Sequence, residues 1–318
     1  MSRAHAGLAL AVLGCSHGPV AAPRDPDRIA TVAGADGIRL HHVADGTIGD
    51  TIVVLHGGPG LTLETLRPDL APLARRHLVL YFDQRGSGYS DLPDSTGLTA
   101  QAMVEDLEAI RRAFQLERIT LLGHSWGGGL ALLYAMRYPA RVSRLVLVGS
   151  LPLRGTPWGE RYLAIQKARR GAEDDARMTA LDSVFRAAPD PHVACREQMR
   201  LFLRGVAATP AHADRITGDG CAATSENLRA QGRVNALVWQ SIADSTGSWD
   251  WRGMTAELSM PTLVVHGADD PLLLDSAREL AAGLPNARLV VVPGAGHYPH
   301  AEQPEAFFPP VEEFLDAE

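Results

Sequence analysis

Gly123-His124-Ser125-Trp126-Gly127 lies between an apolar run, Ile119 to Leu122, and a helix-like stretch, Leu130 to Tyr138. A serine framed by glycines where a strand passes into a helix reads as a sharp, strained turn. Such a turn holds the hydroxyl out at the carboxyl end of a sheet. Both glycines are needed because a β-carbon at 123 or 127 would run into the neighbouring strand or helix. The N-terminus of the following helix lies behind the hydroxyl, so negative charge developing there is stabilised.

A serine hydroxyl is a weak nucleophile at neutral pH and needs a neutral imidazole to take its proton, with a carboxylate to hold that imidazole in the right tautomer. Two later segments offer these groups. The apolar run Thr262 to Val265 leads into His266-Gly267-Ala268-Asp269-Asp270-Pro271, and Leu289 to Val292 leads into Pro293-Gly294-Ala295-Gly296-His297. Adjacent residues point in different directions, so only one of Asp269 and Asp270 can serve. The tetrahedral intermediate of acyl transfer also needs two backbone N–H donors. Trp126, directly after the serine, offers one. Thr51 to Leu55 followed by His56-Gly57-Gly58-Pro59-Gly60 offers the other, from Gly58 or, as the near alternative, Gly57.

With His56-Gly57-Gly58-Pro59-Gly60, Asp83-Gln84-Arg85-Gly86-Ser87-Gly88 with Ser90, and Gly123 to Gly128 in view, the chain resembles the prolyl aminopeptidase (proline iminopeptidase) family of serine peptidases. The resemblance covers roughly residues 30 to 150 and 259 to 318. It implies an α/β-hydrolase fold, a mostly parallel central sheet flanked by helices with an inserted helical cap. The chain order serine, acid, histidine is the one expected of that fold. The family's acid loop runs Gly-x-x-Asp, which from Gly267 selects Asp270, so the expected triad is Ser125, Asp270 and His297. The implied activity is release of an N-terminal residue, typically proline, from short peptides. A free N-terminal ammonium needs carboxylate partners when buried. In the family these are cap glutamates, often beside a tryptophan. Here the insertion carries Glu160 close to Trp158, together with Glu173, Glu197 and Glu226. Glu160, Glu226 and Trp239 are the expected substrate contacts. A carboxylesterase or lactonase using the same triad is the alternative, since an ester has no ammonium to neutralise. A lipid-anchored binding protein without turnover is a third reading, and the complete set of reactive groups argues against it.

The 318 residues, 46% of them hydrophobic and 31 of them glycine, suit one α/β domain with an insertion. With a net charge of −7 and no basic cluster beyond pairs such as Arg75-Arg76, nucleic-acid binding is disfavoured. No cofactor motif or metal-ligand spacing occurs. At the N-terminus, Arg3 precedes the apolar Ala6 to Leu13, and Val12-Leu13-Gly14-Cys15 looks like the lipobox of a bacterial lipoprotein. The run is far short of the roughly 20 residues that span a bilayer, so residues 1–14 are expected to be a removable signal. Cys15 would then carry the lipid, with 15–29 as a tether and the enzyme exported and held at a membrane. The alternative is a cytoplasmic extension. Cys195 and Cys221 remain, either paired in an oxidising compartment or as two free thiols.

Thr31 to Val43, with Asp36-Gly37 at its centre, reads as an opening hairpin. Short continuous apolar runs at Thr51 to Leu55, Leu78 to Phe82, Ile119 to Leu122, Leu145 to Val148, Thr262 to Val265 and Leu289 to Val292 read as strands covered on both faces. Thr99 to Phe114 and Pro304 to Leu315 read as helices. The core is expected over 30–150 and 259–318. Between them, 151–258 is rich in helix formers and holds Trp158, Trp239, Trp249 and Trp251, which either line an apolar pocket or pack the cap down. His56 and His124 read as packing residues, and His300 as peripheral. Asp83 and Arg85 are expected to support the loop at 56–60. Glu302 is expected to cap the last helix.

Overall fold

The computed structural model describes residues 30–317 except 48, 247 and 248. Cys15, the expected signal and the tether lie outside the described residues. Eight strands form one sheet: β1 (Thr31–Ala33), β2 (Arg39–Asp45), β3 (Thr51–Leu55), β4 (Leu78–Phe82), β5 (Ile119–His124), β6 (Val142–Val148), β7 (Thr262–Gly267) and β8 (Ala287–Val292). Their spatial order is β1-β2-β4-β3-β5-β6-β7-β8. The first two pairings are antiparallel, and every pairing from β4 to β8 is parallel. The expected hairpin forms as β1 and β2, joined across Gly34 to Ile38 with Asp36 at φ 54° and Gly37 at φ 82°.

Successive strand residues point to opposite faces, and the parallel strands are apolar on both. Val53, Leu55, Leu121, Leu145, Leu147 and Val264 enter one core, and Ile52, Val54, Leu122, Val146, Val148 and Val265 enter the other. The helices that cover the faces are α1 (Arg67–Leu70), α2 (Ala100–Ala113), α3 (Trp126–Arg137), α8 (Leu274–Ala282), α9 (Pro299–Glu302) and α10 (Pro304–Asp316). Met103, Leu107 and Ile110 of α2 and Leu130 of α3 join the first core, whereas Leu70 of α1 and Phe307, Val311 and Leu315 of α10 join the second. The Thr99 hydroxyl caps α2 by accepting from Ala102 N at 3.1 Å, as its sequence promises.

The insertion between β6 and β7 holds α4 (Trp158–Ala187), α5 (Pro191–Val206), α6 (Pro210–Ala213) and α7 (Ser225–Thr246). Helix α4 is broken at Gly171, where φ is 76°. A small apolar cluster of Leu181, Phe185, Ala194, Leu201 and Leu228 holds the outer part together. The Cys195–Cys221 disulfide, with Cα atoms 5.9 Å apart, decides between the two readings of those cysteines in favour of pairing. Helix α7 behaves differently from the rest of the insertion: Ala230, Val234, Val238 and Ile242 are buried in the main core.

Candidate active site

Strand β5 delivers Ser125 to the first turn of α3 with φ 55° and ψ −120°, a conformation that side chains with a β-carbon rarely adopt. The glycines around it meet the expected obstacles. A β-carbon on Gly123 would lie 2.3 Å from the Gly127 carbonyl oxygen, and one on Gly127 would lie 2.0 Å from that of Leu55. The serine is therefore held at the end of the central strands by close backbone packing on both sides.

His297 follows β8 and Asp270 follows β7, and their side chains meet. Asp270 Oδ2 lies 2.9 Å from His297 Nδ1, with both residues almost fully buried. Asp270 Oδ1 accepts from Leu272 N at 2.8 Å, and His266 Nε2 stands 3.8 Å from Oδ2. Burial pushes the Asp270 carboxyl up, but the neighbouring imidazoles of His297 and His266 and the two hydrogen bonds outweigh it and bring it down to about 2. The aspartate is thus ionised across the neutral range. Asp269 takes another course: its carbonyl accepts from Arg169 of α4 at 2.6 Å. Among the described residues the Ser125 hydroxyl makes no hydrogen bond within 3.5 Å, the imidazole of His297 included. Asp270 and His297 are paired, and the Ser125 hydroxyl is not hydrogen-bonded to them. Serine–imidazole links are commonly longer without a bound substrate.

His297 is fastened on every side. Its N–H donates to Val206 O of the insertion at 3.0 Å, and its carbonyl accepts from His124 Nε2 at 2.8 Å. His124 thus packs in the interior as expected and in addition holds the backbone of His297. Burial, with His297 and His300 nearby, drives the His124 imidazole well below its ordinary value, so it is neutral. Burial likewise takes His300 down to about 3. Glu302 is a correction. It does not cap α10, whose N-cap position is Gln303. Its fully buried carboxylate instead accepts from Gly296 N at 2.9 Å and Tyr298 N at 3.0 Å, on either side of the imidazole.

The glycine loop reaches the serine from β3. A β-carbon on Gly57 would stand 3.3 Å from Ser125 Cβ. His56 Nδ1 donates to Gly57 O at 2.9 Å, while its Nε2 accepts from Gln84 N at 3.1 Å, a pairing that selects the Nδ1–H tautomer. Because the peptide unit is planar and trans, the N–H of Gly58 points opposite to the Gly57 carbonyl, away from His56. The other expected donor is the first-turn N–H of Trp126. Gln84 ties the two donors together: its Nε2 donates to His56 O and its Oε1 accepts from the Trp126 indole, both at 2.8 Å.

The expected support from Asp83 and Arg85 takes a different form. Asp83 accepts from Leu63 N at 2.7 Å and Tyr89 N at 2.9 Å and meets His41 Nδ1 at 2.7 Å, which closes the turn at 86–90 and holds the chain beyond the glycine loop. Arg85 pairs with Asp106 through two hydrogen bonds of 2.7 Å and so fastens α2. Gln84, between them, hydrogen-bonds the loop, as does Ser87 Oγ, 3.3 Å from His56 Nε2.

Of the expected substrate contacts, the structure brings only Trp239 against the site's framework. Its ring lies 5.6 Å from that of Trp126 and continues into Trp249 at 5.1 Å and Trp251 at 5.6 Å. Helix α7 places it there: Gln231 donates to Gly60 O at 3.0 Å and Asn235 to Pro59 O at 3.3 Å, two turns and one turn before Trp239 respectively. Glu160 is exposed on α4. Glu226 is exposed on α7 and lines a surface depression with Asp36, Asp91 and Asp94. Glu197 is engaged by Arg177 at 2.7 Å, and Glu173 is exposed. Sequence spacing could not reveal this, since the orientation of the inserted helices depends on long-range packing. The insertion does supply Tyr162, whose ring lies 5.8 Å from that of His297 and whose hydroxyl is pushed well above its ordinary value by burial. No group of three or more His, Cys, Asp or Glu side chains suited to a metal occurs among the described residues.

A mostly parallel sheet that presents a strained serine, an aspartate–histidine pair and a glycine loop at the ends of successive strands defines a hydrolase architecture, and the comparisons agree. The chain belongs to the alpha/beta hydrolase fold family, whose model matches residues 50–304. Among individual relatives, it is 31% identical to a proline iminopeptidase of Lactiplantibacillus plantarum over 283 residues, 84% of this chain and 92% of that one. It is 28% identical over 295 residues, 91% of this chain and 94% of the other, to a 2-hydroxy-6-oxononadienedioate/2-hydroxy-6-oxononatrienedioate hydrolase of Cupriavidus pinatubonensis. The crystal structure of proline iminopeptidase from Mycobacterium smegmatis superposes with a TM-score of 0.65 at 26% identity, covering 90% of this chain and 97% of that one. The resemblance to proline iminopeptidases read from the motifs is thus borne out over most of the chain.

Proposed function

We propose that the protein is a serine hydrolase that works through an acyl-enzyme, with Ser125 as nucleophile, His297 as general base and Asp270 as its orienting carboxylate. The observation that carries this reading is the buried 2.9 Å pairing of Asp270 with His297, on loops beside a serine held at φ 55°. His297 Nε2 takes the Ser125 proton as Oγ attacks the substrate carbonyl. The oxygen of the tetrahedral intermediate is stabilised by the N–H groups of Gly58 and Trp126. His297 then protonates the leaving group, and water repeats the cycle on the acyl-enzyme.

For the substrate we propose small peptides cleaved at an N-terminal residue, proline or another, on the strength of the three motifs and the proline iminopeptidase relatives. The second reading, a carboxylesterase or lactonase, is favoured by one observation: Glu160 and Glu226, the expected partners of a substrate ammonium, are both exposed. A panel of aminoacyl-p-nitroanilides and p-nitrophenyl esters separates the two. Turnover of prolyl-p-nitroanilide supports the aminopeptidase. Ready cleavage of p-nitrophenyl acetate with the nitroanilides untouched would establish the esterase. We further propose export with a lipid on Cys15. The Cys195–Cys221 disulfide supports an oxidising compartment. Incorporation of a fatty-acid probe, lost in Cys15→Ser, tests this.

A further inference from the structure

The carboxylate of Glu302 is fully buried, and among the described residues no lysine or arginine pairs with it. His212 Nδ1 stands 3.6 Å from Oε2, and the hydrogen bonds the carboxylate accepts come from backbone. Oε2 accepts from Gly296 N at 2.9 Å and from Ala208 N at 2.8 Å, and Oε1 accepts from Tyr298 N at 3.0 Å. Two of these N–H groups flank His297. The third belongs to the insertion, in the segment that follows α5. The same segment accepts the N–H of His297 itself through Val206 O at 3.0 Å, and it packs so closely that a β-carbon on Gly296 would stand 2.4 Å from that oxygen. Arg215 of the insertion adds a hydrogen bond of 2.9 Å to the Glu302 carbonyl.

We propose that Glu302 is a positioning residue for His297: it gathers the N–H groups on either side of the imidazole with one from the inserted segment, so that seating the insertion and placing the base are a single event. The inference rests on the reading of His297 as the base. Its physical ground is the donor count. Only a carboxylate accepts at both oxygens, so no neutral side chain of this length serves three N–H groups. A glutamine would accept at one oxygen and turn its NH₂ toward a backbone N–H. The loop would then relax by a fraction of an ångström to relieve two facing donors. Displacements of about 1 Å at a reacting group lower rates on the order of 100-fold.

The test uses a fluorophosphonate probe, which reports the reactivity of Ser125 without assuming a natural substrate. In Glu302→Gln the second-order labelling rate is expected to fall roughly 10- to 100-fold. In the His297→Ala background the same change is expected to lower the residual rate by less than about threefold, because no base remains to be misplaced. Equal factors in the two backgrounds would point to a general folding defect and overturn the proposal, as would an unchanged rate in Glu302→Gln alone. If the glutamine variant fails to fold, Ala208→Pro removes the N–H from the insertion and sets its ring Cδ against Oε2, which breaks the same contact from the other side. Ala207, at ψ 157°, already has the extended conformation that a residue before proline requires. The same two-background comparison then applies, with a fall of roughly 3- to 10-fold expected beside an intact His297. Wild-type protein that is not labelled at Ser125 would instead remove the serine hydrolase reading, and this inference with it.

Discussion

The Trp126 indole donates to Gln84 Oε1 at 2.8 Å, and through the Gln84 amide, which also donates to His56 O at 2.8 Å, the residue after the serine is tied to the glycine loop. One side chain thus spaces the two candidate donors for an oxyanion. Gln84→Ala should lower kcat roughly 100-fold, the scale of losing one such donor. It should also destabilise the fold by about 1–3 kcal/mol, because the buried indole N–H loses its acceptor. Steady-state kinetics and thermal melting read the two effects separately. A loss of stability with kcat intact would show that the glutamine only holds the core.

Ser125 is the proposed nucleophile and is strained, and the two properties separate by mutation. Ser125→Ala should lower turnover by at least ~10⁴ with the fold intact. Ser125→Gly should be equally inactive yet more stable than the alanine variant by about 1 kcal/mol, because glycine adopts a φ of 55° without a β-carbon penalty. Chemical denaturation of the two variants measures the difference, and equal midpoints would contradict the strain.

Acid should unfold this protein from the histidine side before the aspartate side. Burial holds His56, His124, His266 and His300 below their ordinary values, His300 down to about 3. Each pKa is depressed on folding, so the unfolded chain binds the proton first. Stability present above roughly pH 6.5 is lost as pH falls, at up to about 1.4 kcal/mol per unit for each group. Asp270, at about 2, loses its contribution only as pH falls from roughly 4 toward 2. Among the described residues both ring nitrogens of His300 are buried without hydrogen-bond partners, so His300→Phe should gain stability at pH 5 relative to pH 8. Denaturation at the two pH values checks this, and a gain equal at both would rule out the linkage.

The Cys195–Cys221 disulfide joins α5 to the segment before α7 across 26 residues. In the chain-entropy model a loop of this length contributes roughly 3 kcal/mol. Cys195→Ser with Cys221→Ser should therefore lower the melting temperature measurably. Because α5 ends at the segment that receives His297 N, labelling by a fluorophosphonate should slow as well. An unaltered rate in a less stable double variant would show that the insertion keeps its seat without the bridge.

Much of this molecule follows from short-range rules. Runs such as Thr51–Leu55 and Leu78–Phe82 become strands with the bounds their composition predicts, since each is too apolar to lie anywhere but between two layers. The turn at Ser125 is dictated by Gly123 and Gly127, whose missing β-carbons are a local steric necessity. The order of serine, aspartate and histidine, each after a strand, brings Asp270 and His297 together because β7 and β8 are parallel neighbours. Tertiary structure alone decided the rest. A glutamate before a helix reads as a cap, and only the fold of residues 296–302 against the segment after α5 turns Glu302 toward three backbone N–H groups. Likewise Glu160 and Glu226 are acids on inserted helices whose facing is set by contacts far away in sequence, and those contacts leave both in solvent. Local chemistry specifies where a strand ends and where the strained serine sits; what leans on it depends on packing between distant segments, which no short stretch of sequence encodes.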